Sequence, residues 1–176
     1  MVYKLDLETE KLLKEKNIVL EKAKINDLDN IIELYSERMK WFKENEIKQW
    51  SKYLEHHPRD EYIKVIEKEE YFVLKENNNI IAGFELTNDS KYWRDEKTKA
   101  YYIYRLVIKV GYKNMGNLIF KIIKNIAQEN DKQYIRLHCL RSNQKLNEIY
   151  QNHGFKLMGS IKKEYDYNLR EYKIYE

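Results

Sequence analysis

A strand-like run that passes through a turn into a strongly amphipathic helix, and then into a second strand, constrains the fold of this chain more than any other feature. Residues 100–109 are rich in Tyr, Ile and Val, the types that suit a pleated, half-buried surface. After a turn at 110–117, Leu118, Ile119, Ile122, Ile123, Ile126 and Ala127 fall at helical spacing and mark one long apolar face. Residues 133–140 then alternate, with Ile135, Leu137 and Cys139 on one side. Such a strand–helix–strand step crosses over right-handedly and leaves its two strands parallel.

The remaining strands read as antiparallel neighbours. Apolar runs at 71–75 and 80–86 flank Glu76-Asn77-Asn78-Asn79, a strong hairpin signal. A first strand is expected from Ile18. A helix capped by Asn26 or Asp27 follows, with Leu28, Ile31, Ile32, Tyr35 and Met39 at helical spacing. A short helix over 47–54, another over 59–68, a polar loop at 88–99 and closing strands from Lys156 and Asn168 complete the order. No repeat, low-complexity segment or linker divides the chain. The pattern predicts an α+β (mixed α/β) fold, with a mostly antiparallel mixed sheet, one parallel strand pair and helices on both faces. One domain over 18–176 is expected. Residues 1–17, highly charged with Leu5, Leu7, Leu12 and Leu13 scattered among them, form an N-terminal extension, either an accessory helix or a loose arm.

Composition narrows the function. Basic and acidic residues number 33 and 29, for a net charge of +4. That balance helps an anionic ligand, but no dense Lys/Arg stripe marks a nucleic-acid footprint. No apolar run approaches the ~18 residues of a membrane span, and the first residues lack the apolar core of a signal peptide. The single cysteine, Cys139, excludes an internal disulfide and suits a reducing compartment. A cytoplasmic protein that uses neither nucleic acid nor membrane is expected. The four histidines, His56, His57, His138 and His153, have no partners at metal-ligand spacing, so no metal is expected.

Two motifs carry chemistry. The turn Gly111-Tyr112-Lys113-Asn114-Met115-Gly116-Asn117-Leu118 opens the long helix. A glycine-containing turn there leaves backbone N–H groups free at the positive end of the helix dipole, a ready place for a phosphate or pyrophosphate. It fits neither the Walker pattern nor the dinucleotide fingerprint. In the second motif, Tyr150 follows Asn143 by seven positions, which places both on one face of a helix. Asn143 is suited to cap or open that helix and Gly154 to end it.

Together the two motifs resemble the GNAT superfamily of acetyl-CoA-dependent N-acyltransferases. That family has a strand, then Arg/Gln-x-x-Gly-x-Gly/Ala opening a helix, and later an Asn, a Tyr and Gly-Phe spaced like Asn143, Tyr150, Gly154 and Phe155. The resemblance spans roughly residues 18–170, and the strand segment Tyr102-Ile103-Tyr104-Arg105-Leu106-Val107-Ile108 is also similar. The phosphate loop departs from the pattern, and two registers fit it. In the first, Gly116 matches the last glycine, Asn114 replaces the first and Gly111 replaces the Arg or Gln. In the second, Gly116 is the first glycine, Lys113 replaces the Arg and Leu118 the last small residue. The first is preferred, because Ile119 and Phe120 then fall where the helix begins to bury its face.

The resemblance implies an N-acetyltransferase that moves the acetyl group of acetyl-CoA, a co-substrate, to a primary amine by direct attack in a ternary complex. The pantetheine arm would lie between the two parallel strands, held by backbone groups of Leu106, Val107 and Ile108, one N–H facing the oxyanion. The pyrophosphate would rest on amides of Gly111, Lys113, Asn114, Met115, Gly116, Asn117 and Leu118. Asn143 would hydrogen-bond the arm, and Tyr150 would protonate the departing sulfur. The attacking amine must lose its proton. The central strand offers no carboxylate from Tyr101 to Lys109, which leaves Glu85 on the neighbouring strand as the best candidate base, acting directly or through water. His138 and Asp89 are lesser candidates. Trp41 and Trp50, with Glu85, are expected to line the acceptor end, and Trp93, Glu44 and Glu46 are further features there. An aromatic wall with carboxylates suits a cationic amine, on a small molecule or a peptide. A homodimer is compatible with this reading.

Two rivals remain. A catalytically silent acyl-CoA-binding sensor would account for the altered phosphate loop and the missing strand carboxylate. Nucleic-acid binding is suggested by sixteen tyrosines, several beside Lys or Arg, but the near balance of charges opposes it.

Overall fold

The computed structural model describes residues 3–93 and 98–175. Its strands are β1 (Ile18–Lys22), β2 (Tyr71–Glu76), β3 (Asn79–Thr87), β4 (Ala100–Ile108), β5 (Tyr134–Leu140), β6 (Lys156–Lys162) and β7 (Asp166–Lys173). Its helices are α1 (Leu7–Glu15), α2 (Leu28–Glu44), α3 (Tyr53–His56), α4 (Arg59–Glu67), α5 (Met115–Glu129) and α6 (Gln144–Asn152). All seven strands join one sheet, in the order β1-β2-β3-β4-β5-β7-β6. Among the described residues only β4 and β5 run parallel; every other neighbouring pair is antiparallel.

Alternation along the central strands sends side chains into two separate cores. On one face Phe72, Leu74, Phe84, Tyr101, Ile103 and Ile135 meet Leu118, Ile119, Ile122, Ile123 and Ile126 of α5, with Tyr150 of α6 and Leu13 of α1. On the other, Tyr71, Val73 and Val107 meet Ile31, Leu34 and Tyr35 of α2 and Tyr62, Val65 and Ile66 of α4. Gly83 of β3 gives Tyr71 its room: a Cβ there would lie 2.7 Å from the Tyr71 hydroxyl oxygen. Among the described residues no helix is long and apolar enough to cross a membrane.

Local sequence explains most element ends. The β2–β3 turn holds Asn77 and Asn78 at φ 48° and 65°, which asparagine tolerates better than other side chains. At the start of α2, a 3-10 turn at Ile25–Asp27 makes Asp27 the boundary residue. Residues 7–15 of the N-terminal extension form a helix rather than a loose arm. Asp6 caps it through the Thr9 N–H, and Leu13 and Thr9 are buried. The helix expected at 47–54 is absent: the chain reaches α3 only at Tyr53, because Glu46 and Trp50 adopt φ of 55° and 59° and a right-handed helix cannot continue through them. The polar loop expected at 88–99 lies partly outside the described residues.

Candidate acyl-carrier cleft and acceptor face

The parallel pair is short. Ala100, Tyr101 and Tyr102 pair with Tyr134, Ile135 and Arg136, and from Ile103 onward the two strands part. A bulge in β4 lies in the parted stretch. Tyr104 opposes Glu85 and Val107 opposes Gly83, so Arg105 and Leu106 together face Phe84. Arg105 takes φ 49° to make the bulge, a conformation that costs a non-glycine residue about 1–2 kcal/mol. Side chains of α2 secure it. The Tyr35 hydroxyl donates to the Arg105 carbonyl, and the Arg38 guanidinium donates to the Ile108 carbonyl, its Nε at 3.0 Å. Thus Leu106, Val107 and Ile108 all stand on the parted, bulged half of β4, with the Ile108 oxygen already engaged.

The start of α5 stands beside the C-terminal end of β4. No side chain caps it; its boundary residue is Asn114, at φ 61°. That left-handed turn is one glycine makes freely and asparagine makes best of the rest, which supports the register with Asn114 in place of the first glycine. Gly111 is also left-handed, at φ 90°. Met115 and Leu118 point into the core and offer only backbone, while Lys113 and Asn117 are exposed. A Cβ at Gly116 would meet only His153 Nε2, at 3.8 Å, so the first turn is open to close approach. The Tyr112 hydroxyl ties the loop to Glu76, at 2.6 Å.

On the same face of the sheet, packed beside α5 through Phe120 and Tyr150, stands α6. Asn143 caps it, its Oδ1 accepting from Leu146 N–H at 3.0 Å, while its Nδ2 donates to Gln49 in the loop after α2. Tyr150 packs edge-on against Phe120 and Phe155. Burial raises its pKa, with a smaller contribution from Cys139, and among the described residues its hydroxyl has no hydrogen-bond partner. Between Asn143 and Tyr150 lies Asn147, which the sequence reading passed over. Its Oδ1 accepts from Cys139 Sγ (3.3 Å), Asn168 Nδ2 (2.8 Å) and Arg170 Nε (3.0 Å), and its Nδ2 donates to the Leu140 and Asn143 carbonyls (2.9 and 2.8 Å). One buried amide thereby pins α6 to β5 and β7. The available signal was an asparagine three residues before Tyr150, on the same face. We expect Asn147→Ala to cost about 2–4 kcal/mol, since it leaves the buried Arg170 partly unpaired. Urea unfolding that shifts by less than about 1 kcal/mol would remove Asn147 as a structural hub.

The opposite face of the sheet carries the charged groups. Glu85 is 7% exposed and its carboxylate pairs with Arg105, which also pairs with Glu61; His57 Nδ1 lies 3.0 Å from the same Glu61 oxygen. Burial lifts the pKa of Glu85 above the ordinary carboxylate value, against the pull of Arg105. Trp50 stacks on Tyr53 (4.6 Å between centroids), and Tyr53 lies as close to His57, so Trp50 joins this group. Trp41 does not: it lies by Phe42 and under the Arg38 guanidinium (5.2 Å). Glu44, Glu46 and Asp89 are exposed, and Trp93 sits under Arg136 at 4.3 Å. His138 is enclosed by Tyr92, Tyr104 and Tyr167, and burial drives its pKa down to about 4, so it is neutral near pH 7.

Solved structures share this architecture. A GNAT-family acetyltransferase from Listeria monocytogenes 4b F2365 superposes with a TM-score of 0.73 at 25% identity, covering 89% of this chain and 94% of that one. A second, from Streptococcus agalactiae 2603, gives 0.71 at 17% identity over 90% and 96% of the two chains. The PaiA N-acetyltransferase of Thermoplasma acidophilum, solved in complex with coenzyme A, gives 0.68 at 21% identity over 89% and 98%. No curated protein matches the chain. The family profile described as an acetyltransferase (GNAT) domain matches residues 39–174, which takes in α4, the whole bulged β4, the open start of α5 and the Asn143–Tyr150 helix. With strands that part at the point where such a cleft is needed, the chain belongs to the GNAT acetyltransferase family.

Proposed function

We propose that the protein transfers the acetyl group of acetyl-CoA to a primary amine that carries positive charge. The observation that carries this reading is the parting of β4 from β5 after Tyr102 and Arg136, in a fold that also leaves the start of α5 uncapped and, among the described residues, the Tyr150 hydroxyl unpartnered. The diphosphate rests on amides of the turn and the first residues of α5, from Gly111 to Leu118, and the pantetheine arm lies along Leu106, Val107 and Ile108 with Asn143 beside it. The neutral amine attacks the thioester carbon. A C–N bond forms, and the oxyanion is met by backbone N–H of the bulged strand. The C–S bond then breaks, and Tyr150 gives its proton to the leaving thiolate. Before attack the acceptor ammonium gives one proton to Glu85, directly or through water, and the second amine proton, shed as the intermediate collapses, restores the Tyr150 hydroxyl. Two carboxylates, Glu61 and Glu85, against one guanidinium leave one net negative charge beside Trp50 and Tyr53, which favours a cationic acceptor.

Titration calorimetry with acetyl-CoA, followed by thiol release with a panel of mono- and diamines, tests this. Binding with release on cationic amines is expected. Binding with no release on any amine would instead make the protein a silent acyl-CoA sensor, and no binding at all would overturn the carrier. Gly116→Glu should weaken acetyl-CoA by at least about 100-fold through steric block and like charge. Gly116→Ala, whose Cβ meets nothing closer than 3.8 Å, should leave affinity nearly unchanged. Unaltered affinity in the Glu variant would show that the diphosphate lies elsewhere.

A further inference from the structure

A cavity of about 440 Å³ runs along the outer side of α5, lined by Asn117, Phe120, Lys121, Lys124, His153 and Tyr172 among others. It begins at the turn that receives the diphosphate in the function proposed above: Asn117 belongs to the first turn of α5, and His153 stands next to Gly116. Asn117, Lys121 and Lys124 recur at helical spacing on one face, and side chains on a helix lean towards its N-terminus. Both lysines therefore lean towards the diphosphate position.

Their partners differ. Lys121 is paired with Glu8 of α1. Lys124 has no carboxylate partner among the described residues; its Nζ lies 4.0 Å over the Tyr172 ring. Asp6 also lines the cavity, but its two oxygens accept from the Thr9 N–H and from Asn125 Nδ2. Asn125 lies nine residues from Gly116, about 13 Å along the helix. Half-buried Lys124 thus supplies the one cation in this cavity whose charge no carboxylate opposes, among the described residues.

We propose that this cavity receives the 3′-phosphorylated ribose of coenzyme A, with Lys124 paired to the 3′-phosphate and the His153 ring closing the end next to the diphosphate. This rests on the carrier assigned above. The 3′-phosphate bears close to two negative charges at neutral pH, and a charge-assisted contact with an otherwise unpaired ammonium is the strong kind. The N-terminal extension then has a part in the site, since Asp6 lines the cavity and Glu8 holds Lys121.

Calorimetry with coenzyme A and with 3′-dephospho-coenzyme A tests the proposal. The intact protein should bind the dephospho form about 10- to 100-fold more weakly. In Lys124→Gln, which keeps the stem over Tyr172, the two ligands should bind alike; Lys124→Ala, with good helix propensity, should do the same if its thermal unfolding is unchanged. Equal binding of both ligands by the intact protein would overturn the 3′-phosphate site and leave the acetyl-CoA reading standing. So would discrimination that survives in both variants. Failure of coenzyme A and acetyl-CoA to bind at all would remove the carrier assignment and this site together.

Discussion

Replacing Tyr150 with Phe should lower kcat by about 10²- to 10⁴-fold, the usual worth of a positioned proton donor, while the Kd for acetyl-CoA changes by less than about threefold. The structure separates the two quantities. The ring fills the space between Phe120 and Phe155, with centroids 6.0 and 5.9 Å away, and phenylalanine keeps both contacts. Only the hydroxyl is lost, and among the described residues it has no partner, so no buried group is left unsatisfied. Burial raises the phenol pKa, which keeps the proton in place through neutral pH until a thiolate develops beside it. Steady-state thiol release, with calorimetry on the same variant, gives both numbers. Unchanged turnover would take the acid role away from Tyr150.

The second large effect is on stability. His138 has its pKa depressed by burial to about 4, against an ordinary value near ~6.5 in the unfolded chain. Below pH ~6.5 the unfolded chain takes up a proton that the folded protein refuses, so stability is fully present above pH ~6.5 and falls as pH drops towards the folded value. Between pH 7 and 4.5 this one group should cost about 2.5 kcal/mol. His138→Phe, which retains an aromatic ring among Tyr92, Tyr104 and Tyr167, should lose less stability over that interval by the same amount. Urea unfolding of both proteins at the two pH values measures it. His153, also depressed chiefly by burial, contributes equally to both proteins and cancels, whereas His57, whose charge adds to the downward push on His138, is part of the difference measured. An identical loss in the variant would show that His138 is not held neutral by its enclosure.

The elements legible from the chain alone share one property: their signal is local. Isoleucines at helical spacing gave α5 its buried face, and Asn77-Asn78 a turn with two positive φ values. The misread segment shows the limit. Ile47, Trp50 and Leu54 have helical spacing, yet Trp50 turns left-handed, stacks on Tyr53 and packs at a tilt against Tyr35; a tertiary aromatic cluster outweighed the local preference. The site divides in the same way. Asn143, Tyr150 and Gly116 could be found by spacing within one helix or turn. Glu61, Arg105 and Glu85 could not be grouped beforehand, because 44 and 20 residues of chain separate the partners. Nor could Arg38, whose hold on the Ile108 carbonyl joins residues 70 apart.

The amino-acid order by itself determined the succession of strands and helices, the single parallel pair and the two motifs that point to a thioester carrier, since periodicity and turn chemistry act over a few residues. Only the tertiary structure decided how soon β4 leaves β5, which carboxylates share Arg105, and where Lys124 finds no opposing charge. Those outcomes depend on which distant groups burial brings within a few ångströms of one another, and no local pattern carries that information.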